Sequence, residues 1–597
     1  MKHGRITPAP PAQRAEDRES ACVWGFEDTA FEMLAGDVVR LSGDRYELAG
    51  QELPDLLGWV RDAIHPDIAA DNLNPSRYPP PIERPRTNPA FVAEIRGFLG
   101  EDRVEDDAEL RLRHGRGQTQ EEMYRIKYDR LGRIPDLVVF PGGEDDVAAL
   151  VAAARAHDVC LIPYGGGTNV SNALSCPEDE DRMIVSVDMC RMNRILWIDP
   201  DNHMACIEAG AVGRIIAEQL AGYGFTMGHE PDSIEFSTLG GWIATHASGM
   251  KKNRYGNIED IVLDVTVVTP QGTLSRPTVV PRESVGVGDA RRWIYGSEGG
   301  LGIVTQAVVR LFPLPEVQEY GSIIFPSLEN GVDFLYELTR TATPPASVRL
   351  VDNMQFQLSQ TLKPRSAGLG KLRSALEKWF VVRVKGFDPQ KMTACTLVFE
   401  GSKDRVDAER RSVYRIAGKH GGMKGGASNG RRGYQLTFGI AYLRDWILNH
   451  WLLAESFETS AAWSDVMKVC NNVRRRLNEE HGRRKLPGKP FVSCRVTQVY
   501  PTGVCIYFYF AYYFKGVENP SDVFSEMEHA ARDEVLRSGG SLSHHHGIGK
   551  IRRDFLPRVL SEGMLNWQRQ IKKAVDPDNV FGAGNQAFDS GSGRREP

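Results

Sequence analysis

The chain lacks several signatures that would assign it to a class at once. Its nine cysteines form no C-x-x-C pair, so neither a disulfide framework nor a zinc cluster is written in it, and a reducing compartment is the simpler expectation. No apolar run reaches the length that spans a bilayer, and the N-terminus MKHGRITPAPPAQRAEDRES has no signal-peptide core. Any meeting with a membrane is therefore expected at its surface. The basic excess of a nucleic-acid binder is also missing: 73 Lys and Arg face 78 Asp and Glu, a net charge of −5, so no nucleic-acid partner is expected. Neither a G-x-G-x-x-G after a first strand nor a Gly-Lys-Ser/Thr loop is present, which argues against NAD and ATP. The polar end GSGRREP is unlike the Ser-Lys-Leu peroxisomal address, and no other targeting motif stands out.

What the chain does have is glycine beside hydroxyl and amide side chains, in three blocks. The first, PYGGGTNVS at 163–171, closes the stretch IPDLVVFPGGEDDVAALVAAARAHDVCLIPYGGG, which reads as strand, turn, Asp-capped helix and second strand. Successive N–H groups of such a loop converge on an anion. The second block is GHEPDSIEFSTLGGWIATHASG at 228–249, and the third is YGSEGGLGIV at 295–304. Three such blocks fit one large phosphate-bearing ligand better than three unrelated turns. Between them, residues 183–212 hold strand-length apolar segments separated by Asp-Pro and Asp-Asn turns, so an α+β fold with a mixed sheet is expected.

The flanking regions carry other signals. Residues 1–125 mix proline clusters with charged stretches and read as a partly helical extension in which no chemistry is visible. In 363–385, seven basic residues face one acid, Glu377; Leu369, Leu372, Leu376, Trp379 and Phe380 fall on one helical face. Such a helix can lie in a membrane interface or meet the core as an ordinary surface helix. CIYFYFAYYF at 505–514 reads as a buried strand. Of the consecutive His544, His545 and His546, an extended chain would present His544 and His546 to one cavity, where they suit proton transfer; three adjacent histidines on such a chain do not share one metal. Arg349 and Arg444 sit in apolar contexts, so each needs an anionic partner, either a carboxylate or a substrate phosphate.

The three blocks, with SVRLVDN at 347–353, FETSAAW at 457–463, CRVTQVYPTGVCIYFYFAYYFKG at 494–516, SLSHHHGIGK at 541–550 and VDPDNVFG at 575–582, resemble the FAD-binding vanillyl-alcohol oxidase superfamily. Within it, the match is to the alkyldihydroxyacetonephosphate synthases, from about residue 130 to 585. The resemblance implies non-covalently bound FAD, held by Pro163, Gly165, Gly166, Gly167, Thr168, Asn169, Val170 and Ser171. It extends that contact set to Asp232, Ser233, Ile234, Glu235, Phe236, Ser237, Thr238, Thr245, His246, Ala247 and Ser248, and to Glu298, Gly299, Gly300, Leu301, Gly302, Ile303 and Val304. It makes Tyr507 the acid/base, accompanied by His544, His545 and His546, puts Arg444 on the substrate phosphate and makes Arg349 important for activity.

The implied organisation is an N-terminal extension at 1–125, an FAD domain at 126–315, a cap domain at 316–560 and a C-terminal segment at 561–597 that returns to the flavin. The implied reaction exchanges the acyl group of acyl-dihydroxyacetone phosphate for a long-chain fatty alcohol without net redox change, through a bond from substrate carbon to flavin N5. A homodimer at a membrane surface is expected, peroxisomal in a eukaryote and at the inner membrane in a bacterium. A flavin domain alone would equally fit a dehydrogenase that oxidises D-lactate or glycolate.

Overall fold

The computed structural model describes residues 4–12, 14, 17–363, 383 and 386–588. The basic segment 363–385 lies outside the described residues apart from Lys363 and Arg383.

Short β-rich segments joined by glycine turns build two sheets in the nucleotide half. In the first, Leu137–Val139, Ile184–Asp188 and Cys160–Tyr164 run parallel, with Val104–Glu105 antiparallel at the edge. The helix Glu144–Ala156 joins two of these strands and buries Val147, Leu150 and Val151. Its N-cap is Gly143, with no side-chain cap, rather than the expected Asp. The acid sits further in: Asp146 accepts the Gly142 N–H at 2.8 Å, because the glycine backbone folds back over the first turn. The second sheet is antiparallel and five-stranded, in the order Gly272–Leu274, Val262–Thr269, Ile303–Arg310, Met204–Glu208 and Ile195–Asp199. The fold class is thus α+β, with the mixed sheet the sequence predicts.

The glycine loop leaves Cys160–Tyr164 at its C-terminal end, and Gly167 takes φ +63°, a conformation that favours glycine. A Cβ at Gly166 would lie 2.0 Å from the Phe236 carbonyl, so the first and second blocks touch through bare backbone. Thr238 caps the helix Leu239–Thr245 by accepting the Gly241 N–H.

A seven-stranded antiparallel sheet forms the other half, in the order Met423–Lys424, Val317–Phe325, Thr393–Gly401, Ser347–Val351, Phe491–Val499, Gly503–Tyr513 and Leu452–Ala462. The aromatic stretch predicted as a strand is Gly503–Tyr513, buried except at the half-buried Tyr509. Register sets Arg495 opposite Tyr507 and Tyr507 opposite Glu458, one row across three strands. Directly opposed residues share a face of the sheet. The helix Ala427–Leu448 crosses the sheet closely, and at Gly430 a Cβ would lie 2.1 Å from the Gly321 carbonyl. The N-terminal extension adds the strands Phe31–Leu34, Val38–Leu41 and Glu52–Leu53 and the helix Leu56–Ala63. Its apolar residues share one cluster with Tyr442, Leu443 and Trp446 of the crossing helix. No helix among the described residues is long and apolar enough to cross a membrane.

His229 is buried beside Trp242, and neither ring nitrogen has a partner among the described residues. Burial pushes its pKa down to about 3. The folded value lies below the unfolded one, so its contribution is complete above about pH 6.5 and is lost toward pH 3, at about 1.4 kcal/mol per pH unit. Unfolding stability at about pH 5 is therefore expected to drop by about 2 kcal/mol on this account, and His229→Phe should remove that share of the slope. Denaturant titrations at both pH values measure it; identical slopes in both proteins would refute the assignment.

Candidate active site

One cavity of about 390 Å³ runs between the three glycine blocks and the seven-stranded sheet. Along its nucleotide wall, the backbone N–H groups of Gly166, Gly167, Thr168, Asn169 and Val170 have no acceptor among the described residues. Ser297 Oγ is buried on the same wall and also lacks a partner. Converging unpaired donors suit a pyrophosphate, so this wall fits FAD.

Most residues of the three predicted blocks line the cavity, but seven do not. Ser171 turns inward and donates to Glu298 at 3.1 Å. Ile234 packs in the core of the five-stranded sheet, and Leu301 is buried there. Glu235 accepts the Tyr46 hydroxyl at 2.8 Å. Phe236 packs edge-on against Trp24 and at a tilt against Phe26. His246 pairs with Glu259 at 3.2 Å, and the Gly300 carbonyl accepts from Lys572. Glu298 does reach the wall, yet its carboxylate is committed to Ser171, to the Gly549 N–H at 2.7 Å and to Gln586 at 2.7 Å. Burial raises its pKa. It ties the loop, the segment after the histidines and the returning C-terminal residues together.

At the other end, the Tyr507 hydroxyl lies 2.7 Å from His545 Nε2 and 3.1 Å from His546 Nε2. The cavity-facing pair is thus His545 and His546, not His544 and His546. The reason is Glu458: its buried carboxylate accepts the backbone N–H groups of His544, His545 and His546 and the Ser543 hydroxyl, curling a segment that the sequence suggested was extended. Against the desolvation of burial, the Ser543 hydroxyl and the three backbone N–H donors hold the Glu458 pKa below the ordinary range. Burial lowers the pKa of His545, lowers that of His546 far below normal, and raises that of Tyr507 well above normal. Neutral imidazoles therefore face a protonated phenol, the pairing that proton transfer needs. Glu458, Cys505, His544 and His545 do bring ligand atoms within 4.8 Å of one another. The carboxylate is already occupied by four donors, however, and burial keeps the Cys505 thiol protonated.

The partner that Arg349 requires is Asp232, at 3.3 Å to each oxygen. Arg349 also donates to Thr437 of the crossing helix. Arg495, which sequence reasoning missed, reaches the same Asp232 at 3.2 Å and lies 4.9 Å over the rings of Tyr507 and Tyr509. Two guanidiniums thus share one carboxylate, leaving net positive charge beside Tyr507. Arg444 reaches the cavity wall, but its guanidinium is spanned by Asp445 at 2.9 Å and by the Gln118 carbonyl at 2.6 Å.

The N-terminal extension, in which no chemistry was visible, also lines the cavity: Trp59 packs edge-on against Phe491 at 6.1 Å, with Ile64, Ile447 and Phe510 on the apolar lining, while Trp24 sits beside the glycine loop. Glu455 also lines this region, its pKa raised to about 8 by burial and then by Glu528. Long-range burial of this kind leaves no local signal in a proline-rich sequence.

The chain matches a family model for an FAD binding domain over residues 135–277 and one for the C-terminal domain of FAD linked oxidases over residues 314–585. It is 40% identical to the alkyldihydroxyacetonephosphate synthase of Caenorhabditis elegans over 94% of each chain. The chain belongs to the alkyldihydroxyacetonephosphate synthase family. It is accordingly an FAD-dependent enzyme of ether-lipid synthesis. The synthase of Dictyostelium discoideum is 32% identical over 89% of this chain and 88% of its own. A solved alkyldihydroxyacetonephosphate synthase structure superposes with a TM-score of 0.82 at 28% identity, covering 95% of this chain and 99% of that one.

In a synthase built this way, Glu458→Gln keeps the side-chain volume but puts an amide donor among N–H and O–H donors. A loss of about 3 kcal/mol of unfolding stability is expected, together with loss of the Tyr507–histidine contacts. Denaturant unfolding checks this; an unchanged midpoint would mean that the carboxylate does not hold the histidine turn.

Proposed function

We propose that the protein converts acyl-dihydroxyacetone phosphate and a long-chain alcohol into alkyl-dihydroxyacetone phosphate and a fatty acid. The observation that carries this reading is the Tyr507 hydroxyl held between two neutral imidazoles, on the wall of a cavity with a phosphate-binding end and an apolar end. Tyr507, with His545 and His546, takes and returns the substrate proton. Arg349 and Arg495 hold Asp232 beside it and supply net positive charge that favours an anionic substrate. Arg444 takes the phosphate, which replaces the carbonyl and carboxylate it now grips. Trp59 and Ile64 exclude water from the long chain. FAD, which the amides of the glycine loop would hold, would supply an electron-poor ring able to stabilise the deprotonated substrate carbon.

Purified holoenzyme supplied with acyl-dihydroxyacetone phosphate and hexadecanol is expected to release fatty acid in step with alkyl product. Tyr507→Phe should slow this by roughly 10²- to 10⁴-fold, the range for a group that itself moves the proton. Absence of fatty-acid release by the parent enzyme, combined with rapid bleaching of the flavin by D-lactate, would favour a hydroxy-acid dehydrogenase instead.

A further inference from the structure

Only two of the three histidines line the cavity; His544 is not part of its wall. Its Nε2 lies 2.6 Å from the hydroxyl of Tyr500. Tyr500 sits at the end of Phe491–Val499, in the turn where Pro501 and Thr502 are exposed. The other ring nitrogen of His544, Nδ1, is 2.7 Å from Nδ1 of His545, and His545 Nε2 is 2.7 Å from the Tyr507 hydroxyl. Both imidazoles are thus bridged through both nitrogens, and the contacts form one unbroken line from the cavity to the hydroxyl of the half-buried Tyr500, which also accepts from Asn257 Nδ2 at 3.4 Å, next to the exposed Pro501 and Thr502.

Two opposite sets of neutral tautomers satisfy every link. In the set poised to carry a proton outward, Tyr507 donates to His545 Nε2, His545 Nδ1–H donates to His544 Nδ1, and His544 Nε2–H donates to the Tyr500 oxygen. The line has a task if the exchange proposed above is the reaction, on which this inference rests. The ester C–O bond breaks and the carboxylate leaves with its electron pair; the alcohol oxygen bonds to the same carbon and loses its proton. One proton is left over in each turnover, inside a cavity closed by aromatic side chains. We propose that Tyr507, His545, His544 and Tyr500 form the path by which that proton reaches solvent.

Each hop moves one proton one link outward. The Tyr507 proton goes to His545 Nε2, the His545 Nδ1 proton to His544, the His544 Nε2 proton to Tyr500, and the Tyr500 hydroxyl proton to water. The exit end suits this role: Lys252 Nζ lies 3.3 Å from the centre of the Tyr500 ring, and its positive charge favours a transient phenolate there. Burial lowers the Lys252 pKa to about 8. The path also accounts for a third histidine that touches no cavity. Glu458 orients it by taking its backbone N–H. His544 and Tyr500 are positioning and relay groups rather than catalytic residues.

The test is Tyr500→Phe, which keeps the ring over Lys252 and removes the last oxygen. Turnover is expected to fall roughly tenfold, less than for loss of Tyr507 itself. Added imidazole buffer should restore the variant's rate, while the parent enzyme should not respond to buffer. Full activity of Tyr500→Phe without buffer dependence would overturn the path. NMR of the holoenzyme with labelled histidine nitrogens gives an answer without turnover. His544 is expected to carry its proton on Nε2 and His545 on Nδ1, and Tyr500→Phe should shift the His544 Nε2 signal. The opposite tautomers would exclude the path. Absence of fatty-acid release by the parent enzyme would refute the proposed reaction, and the tautomers would still decide whether the line exists.

Discussion

Everything at the reacting end depends on one buried carboxylate. Glu458 stands in the outermost strand of the large sheet and accepts three consecutive backbone N–H groups and one hydroxyl from the segment that carries the histidines. Three amides directed at one carboxylate hold the chain in a tight turn, so adjacent imidazoles fan out instead of alternating between faces. The register then does the rest. Glu458, Tyr507 and Arg495 form one row, so the turn held by the first is set over the hydroxyl of the second, and the third places its charge over the same ring. Burial keeps the imidazoles neutral and the phenol protonated, which is the resting state that a proton-accepting site needs.

The cofactor end is built by a different device. There, side chains matter less than unpaired amides, presented by a loop that can approach the second block only because Gly166 has no Cβ. Glu298 links the two ends. It takes Ser171 from the loop, Gly549 from just beyond the histidines and Gln586 from the C-terminal segment. A single buried carboxyl thereby fixes the distance between the glycine loop and the histidine turn. The sheet half supplies Arg349 and Arg495, the nucleotide half supplies Asp232, and their contact closes the cavity between the halves.

The parts legible in the sequence were those whose chemistry is local. A glycine run after a strand, a helix between two strands and an aromatic strand announce themselves within ten residues or so, although the expected Asp cap of that helix proved to be Gly143; the α+β class followed from their order. Tyr507 came from resemblance; the histidine run stood out as pattern, but the pair it pointed to, His544 and His546, is not the pair that lines the cavity. Arg495 and Glu458 lay inside quoted stretches but were not singled out, because their importance arises from strand pairing across distant segments. The same limit hid the role of Trp24 and Trp59, which reach the cavity only once the N-terminal sheet packs against the crossing helix. Arg444 shows the converse: the sequence correctly demanded an anionic partner, and the neighbouring Asp445 supplies one.

The central claim is that this site breaks the bond between the glycerone carbon and the ester oxygen and makes a new one to the alcohol. Hexadecanol carrying heavy oxygen in its hydroxyl tests this directly, followed by mass analysis of both products of the holoenzyme. The account predicts that the label is retained in the ether product and absent from the released fatty acid. Label appearing in the fatty acid, or an ether product that keeps the original ester oxygen, would contradict it.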